Sequence, residues 1–113
     1  MSSRLHLQNY FAVPNSLVDD AIMHRLSLAE IRCLLYILRH TYGFQKAEDA
    51  ISLDQMVCGV PALNMGAGVY RRRLLATLNA LQAKGFIRRI RQTTPSGRCL
   101  PSLYAPKIGR AHV

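Results

Sequence analysis

Acidic residues are missing from more than half of this chain. All six lie at or before Asp54. From Met1 to Asp54 five Lys or Arg stand against them, a balance of −1; from Gln55 to Val113 ten Lys or Arg stand alone, a balance of +10. Such asymmetry costs self-repulsion and is not needed for folding, but it draws polyanions. Other absences narrow the class. No apolar run approaches the ~18 residues of a membrane span. The N-terminus has no apolar block followed by a cleavage site, so secretion is not indicated. The three cysteines, Cys33, Cys58 and Cys99, are widely spaced, form no C-x-x-C and cannot all pair with one another; reduced thiols in a cytosol fit them best. No repeat or low-complexity segment is present.

What is there reads as one small domain. Half of the 113 residues are apolar, enough for a modest core. Residues 1–10 read as a poorly anchored arm and 11–106 as the domain. Val13-Pro14-Asn15 leads into a short helix over 16–24, with Asn15 as its cap. Ser27-Leu28-Ala29-Glu30 is a capping box, and Ile31, Leu34, Leu35, Leu38 and Tyr42 follow at helical spacing, with Gly43 as a left-handed stop. This helix is the expected spine of the core. Ile51 reads as a very short strand. Ser52-Leu53-Asp54-Gln55 is a second capping-box pattern, opening a short helix that Gly59 ends. Pro61, Gly66 and Gly68 mark 60–68 as loop. The next helix spans 70–84, with Leu74, Leu78 and Leu81 on its buried face and Gly85 as its stop. Residues 86–92 read as a strand, Thr94-Pro95-Ser96-Gly97 as a turn, and 98–104 as a return strand that Pro101 makes an edge or interrupts.

Helix, helix, short strand, helix, turn, helix, hairpin is the order of a winged helix-turn-helix. The expected fold is mainly α with a small β hairpin. In that fold the start of the 70–84 helix enters the DNA major groove, and here it reads Tyr70-Arg71-Arg72-Arg73. Successive residues turn by about 100°, so three arginines in a row cannot all reach one groove floor. With the leucines inward, Arg72, Ala76 and Asn79 lie outward. One or two arginines face base edges, where guanine is the favoured partner, and the others grip phosphates. Asn79 reaches backbone or adenine. Tyr70 packs on the loop more readily than it contacts phosphate. In the hairpin, Arg88, Arg89, Arg91 and Arg98 flank the turn as a phosphate-tracking or minor-groove wing.

A basic run alone is an ordinary solvated face. The weight here comes from its coincidence with a helix start, a basic hairpin and the absence of acids. Leu75 adjoins the proposed DNA face and reads as rim of the core more readily than as a thymine-methyl contact, with a dimer contact as a further reading. The four histidines, His6, His24, His40 and His112, share no zinc-like spacing with the cysteines. His40 reads as a dipole partner at a helix end, and Cys33 and Cys58 as core or near-core residues. Asp19-Asp20 and Glu48-Asp49 read as solvated charges. No enzyme, cofactor or metal site is expected.

Several stretches carry a family resemblance across about 10–92. They are Phe11-Ala12-Val13-Pro14-Asn15, Leu26-Ser27 with its helix, Thr41-Tyr42-Gly43-Phe44-Gln45-Lys46 with Glu48-Asp49, Ile51-Ser52-Leu53, and Leu81-Gln82-Ala83-Lys84-Gly85-Phe86-Ile87. The Tyr-Gly-Phe-x-Lys-x-x-Asp segment is the most specific. Together they resemble the N-terminal domain of the bacteriophage replication protein O family, the lambdoid origin-binding initiators. The resemblance implies a homodimer that binds repeated sites at a replication origin, with a separate C-terminal part recruiting helicase-loading machinery. Two features depart from the family: Pro61–Ala67 looks inserted into a turn that is otherwise short, and Tyr70 with Arg71–Arg73 replaces a serine or threonine cap and smaller polar residues.

Residues 107–113 read as a non-native tail, because Ile108-Gly109-Arg110-Ala111-His112-Val113 looks like the translation of a sequencing-library adapter; the helicase-recruiting part would then be missing. The expectation is sequence-specific double-stranded DNA binding at a phage or prophage origin, without catalysis or membrane association, in the bacterial cytoplasm. The alternative is a winged-helix transcriptional regulator. A third reading is a protein-interaction module whose basic face meets an acidic partner.

Overall fold

The computed structural model describes residues 10–108. Most of the expected arm, and residues 109–113 of the expected tail, lie outside the described residues.

The first helix is shorter than its pattern suggests. α1 covers Ser16–Asp19, Ala21 turns to a φ of 59°, and a 3-10 turn follows over Ile22–Arg25. A continuous helix would set Leu17 and Ile22 about 140° apart. The break lets both reach the core, and Val18 is left outside. Asn15 makes no side-chain cap.

α2 runs Leu28–His40 and is capped as expected. The Glu30 amide donates to Ser27 Oγ at 3.2 Å, and the Ser27 amide donates to Glu30 Oε1 at 2.7 Å. Cys33, Leu34, Ile37 and Leu38 are fully buried, while Leu35 sits at the rim. Glu30 is itself buried and meets Lys84 Nζ at 2.7 Å. Burial raises its pKa, but the Lys84 and Ser27 bonds outweigh this and hold it below the usual value.

The end of α2 corrects the Gly43 expectation. The chain passes through Thr41 into a 3-10 turn over Tyr42–Phe44, and Gln45, not Gly43, takes the left-handed conformation at φ 61°. Gly43 instead sits in a close approach: a Cβ there would lie 3.2 Å from Arg39 Nη1 and 3.4 Å from Phe11 Cβ. The Tyr-Gly-Phe-x-Lys-x-x-Asp segment does structural work here. Tyr42 OH donates to the Ile108 carbonyl at 3.0 Å, Arg39 stacks 4.5 Å from the Phe44 ring centroid, and Lys46 pairs with Asp49 at 3.2 Å.

β1 is Asp49–Ile51, α3 is Leu53–Cys58, and α4 is Arg71–Ala83. Ser52 Oγ caps α3 by accepting from the Gln55 amide at 3.0 Å. α4 buries Leu74, Thr77, Leu78 and Leu81 against α2. β2, Ile87–Thr93, and β3, Cys99–Pro106, complete an antiparallel sheet in the order β1-β3-β2. The molecule is therefore a mixed fold, with four α-helices and a three-stranded sheet among the described residues, rather than helices plus a lone hairpin.

Pro101 consequently lies in the central strand, not at an edge. β1 pairs only with Ser102, Leu103 and Tyr104, and the β2 ladder shifts between Ile90 and Gln92, so neither neighbour requires an N–H at position 101. Contacts with the sheet continue past residue 106. The Lys107 amide donates to the Phe86 carbonyl at 2.8 Å, and the Ile108 side chain is buried. No helix among the described residues is long and apolar enough to cross a membrane.

Candidate nucleic-acid interface

Strand alternation sorts the arginines of β2. Arg89 lies opposite Tyr104, and its guanidinium carbon is 5.8 Å from that ring's centroid. It shares the inner face with buried Ile87. Its Nε is buried with no hydrogen-bond partner. Arg88 takes the other face, opposite Ala105, and meets Glu48 at 3.4 Å. Arg91 sits at the register shift, where Pro101 and Ser102 of β3 face one residue of β2. It is exposed and inclines back toward the inner side.

The start of α4 meets this inner side. Arg71, Arg89 and Arg91 line one open cleft of about 550 Å³, together with Ser52, Asp54 and Tyr104. Arg71 forms an ion pair with Asp54, the first-turn acid of α3. Both side chains remain largely exposed, at 56% and 78%. Asp54 is the only acid lining the cleft. Arg72, Arg73 and Asn79 are exposed on α4, and Tyr70 projects from the residue before it. Arg98 is exposed at the β-turn, where its amide donates to Thr94 Oγ1 at 3.0 Å. Arg72, Arg73, Arg91 and Arg98 meet no carboxylate among the described residues. The cleft thus brings together Arg71, Arg89 and Arg91. It does not include Arg72, Arg73, Arg98 or Asn79, and Arg88 faces away from it.

Two features escape a sequence reading. The first is Asp54, whose capping-box position hides its reach across seventeen residues to Arg71. The second is Asn64, the hub of the 60–68 loop. Its Oδ1 accepts from the Val60 amide at 3.2 Å, the Gly66 amide at 3.3 Å and Tyr36 OH at 3.2 Å. Its Nδ2 lies 2.9 Å from His40 Nε2. His40, in the last turn of α2, is therefore a buried strut to the loop rather than simply a dipole partner, and burial holds its pKa below the usual value. With the Val60 and Gly66 amides donating to Asn64 Oδ1, the amide nitrogen faces the ring, so Nε2 accepts and the proton sits on Nδ1. Gly66 fits only as glycine: its φ is 96°, and a Cβ would lie 2.5 Å from the Val57 carbonyl oxygen. The loop is fixed, with Met65 turned outward at 91% exposure.

The other reactive groups are ordinary. Burial pushes the Cys33 thiol up to about 12, while Cys58 and Cys99 are exposed thiols. No cluster of three or more His, Cys, Asp or Glu suited to a metal ion occurs among the described residues.

Comparison with curated proteins and with solved structures found no match. Residues 7–97 match the family described as bacteriophage replication protein O. That span takes in α1 through β2 and every residue that lines the helical side of the cleft. The chain belongs to the bacteriophage replication protein O family.

Proposed function

We propose that this chain is a winged helix-turn-helix domain that binds double-stranded DNA sequence-specifically at a phage or prophage replication origin, as a step in initiating replication. In this reading α3, the 59–70 connection and α4 form the helix-turn-helix, and the β2–β3 hairpin is the wing. The observation that carries it is the shared cleft: an arginine from the start of α4 and two from β2 line one concave surface that holds a single carboxylate. Family membership supports the connection to replication.

The proposed mechanism is binding alone, without catalysis or cofactor. The first turns of α4 enter the major groove, with Arg72 and Arg71 toward base edges and Arg73 toward phosphate. Asn79 follows two turns on. Arg91 and Arg98 grip the backbone from the wing, and Arg89 supports the cleft floor from its place against Tyr104. Dimerisation on repeated sites in the bacterial cytoplasm belongs to the same proposal, and recruitment of helicase-loading machinery falls in it to a separate C-terminal part.

The test is a pull-down of phage genomic fragments with this domain across a range of salt concentrations. Short tandem repeats from an origin support the initiator reading. Promoter fragments would favour a transcriptional regulator of the same fold. Failure to retain any duplex at moderate salt would overturn DNA binding and favour an acidic protein partner.

A further inference from the structure

Asp54 stands out on a surface otherwise suited to a polyanion. A carboxylate there repels phosphate. Stability does not account for it, because an exposed ion pair contributes little to folding. Its place in the first turn of α3 suits the helix dipole, yet Ser52 already caps that helix. What distinguishes Asp54 is its partner. It reaches from α3 to Arg71, the first residue of α4, at a cleft also lined by Arg89 and Arg91.

A guanidinium carries five N–H donors in a planar fork. Asp54 Oδ1 takes a bond from Nη2 of Arg71, which ties that end of the fork to α3 and leaves its other donors free. Guanine recognition needs two parallel N–H bonds aimed at O6 and N7, so a guanidinium of fixed direction discriminates better than one free to follow phosphate. The carboxylate also neutralises Arg71 toward non-cognate backbone. This lowers affinity for every duplex and so enlarges the share of binding that depends on bases.

We infer that Asp54 is a positioning residue: it holds the Arg71 guanidinium toward base edges and trades general duplex affinity for sequence discrimination. The inference rests on the duplex-binding reading above. It is tested with the full 113-residue chain and a pool of randomised 20-base-pair duplexes, a length of ~20 being enough to span a winged-helix footprint. Wild type, D54N, R71A and the double variant each select from the pool, and each is then titrated on the wild-type consensus and on a scrambled duplex at several salt concentrations.

The expected result for D54N has three parts. Scrambled duplex binds tighter, by about fivefold or less at low salt. The salt slope steepens by ~0.9 as Arg71 turns to a phosphate. Preference flattens at the one or two base pairs that R71A also flattens. On the R71A background D54N changes preference no further, and D54E, one methylene longer, does not restore it. The D54N melting temperature stays near wild type, which separates positioning from a helix-capping role. An unchanged D54N consensus, or an equal D54N effect on the R71A background, overturns the inference and leaves duplex binding standing. Loss of all duplex binding by wild type overturns both.

Discussion

The arginines of α4 and the arginines of β2 look alike as text and behave differently in space. Arg71–Arg73 occupy consecutive helical positions, so each points about 100° from the next, and all three stay exposed. Arg88, Arg89 and Arg91 lie on a strand, where neighbours take opposite faces. One stacks on Tyr104, one pairs with Glu48 on the far side, and one, at a register shift, meets no carboxylate among the described residues. The helix spreads its charge over an arc, whereas the strand divides its charge between two faces. A count of basic residues therefore overstates the site: the period of the element decides which cations converge.

Removing the frame that joins the two runs should have the largest effect. Leu34 is fully buried in the core shared by α2 and α4. Leu34→Ala should lower stability by ~2–5 kcal/mol in urea unfolding, and duplex affinity should fall with the folded fraction. A near-neutral result would mean that α2 is not what holds the helical run against the strand run.

The next effects separate the runs themselves. Arg72→Ala should cost about 1–3 kcal/mol of binding, concentrated at one or two base pairs, while Arg91→Ala should weaken all duplexes alike and reduce the salt slope by ~1. Fluorescence-anisotropy titrations on matched and scrambled duplexes distinguish these outcomes. An equal loss on all sequences for Arg72→Ala would make the helical run a phosphate contact like Arg91. Arg89 serves the slope test less well, because its half-buried position against Tyr104 ties its removal to packing as well as to charge.

Much of this geometry was legible in the residues. Local signals were clearest: the Ser27–Glu30 box, the Leu74, Leu78 and Leu81 stripe, and the Gly85 stop each rest on contacts within a few residues of each other. Long-range closure was not legible. Pro101 pointed to an edge, but β1 comes from fifty residues upstream to make β3 central. His40 resembled a helix-end cation until the 60–68 loop brought Asn64 to its ring. The outward direction of Arg72 and Asn79 followed from helical period. The departure of Arg88 followed from strand period too, but only once the inner face of β2 was known from Tyr104. Asp54 had no signature beyond its chain position, because an ion pair with a distant helix leaves no periodicity.

Around neutral pH the response should fall on the helical side. His40 is held neutral, and Asp49, Arg39 and Lys46 are the charges that act on it. Asp49 favours its protonation and the two cations oppose it, with burial the larger cause. The folded pKa is therefore depressed below the unfolded value, so the unfolded chain takes up the proton first. Stability is full above about pH 6.5 and declines as pH falls through and below it. Protonated Nε2 would confront the Asn64 amide nitrogen, forcing the side chain to turn and release the Val60 and Gly66 amides. Hydrogen-exchange protection at those two amides, corrected for intrinsic rate, should fall below about pH 6.5 relative to amides of β2. Replacing His40 by Gln should remove most of that pH dependence, whatever it does to the baseline. A uniform loss of protection across loop and sheet would place the titration elsewhere.

The smallest effect should come from Arg88, and it is the most direct check on the two-face account of β2. Its guanidinium meets Glu48 at 3.4 Å with both side chains partly exposed, a pairing worth ~0–1 kcal/mol. Arg88→Ala should leave unfolding nearly unchanged and alter the salt slope of duplex binding by well under the ~1 expected for Arg91→Ala. Both residues carry the same charge on the same strand, three positions apart in sequence, so a difference in slope reports the side each one faces together with the Glu48 pairing found on the outer side. If the two variants lose slope equally, DNA reaches around the hairpin to its outer surface, and Glu48 becomes a second acid that the duplex must displace.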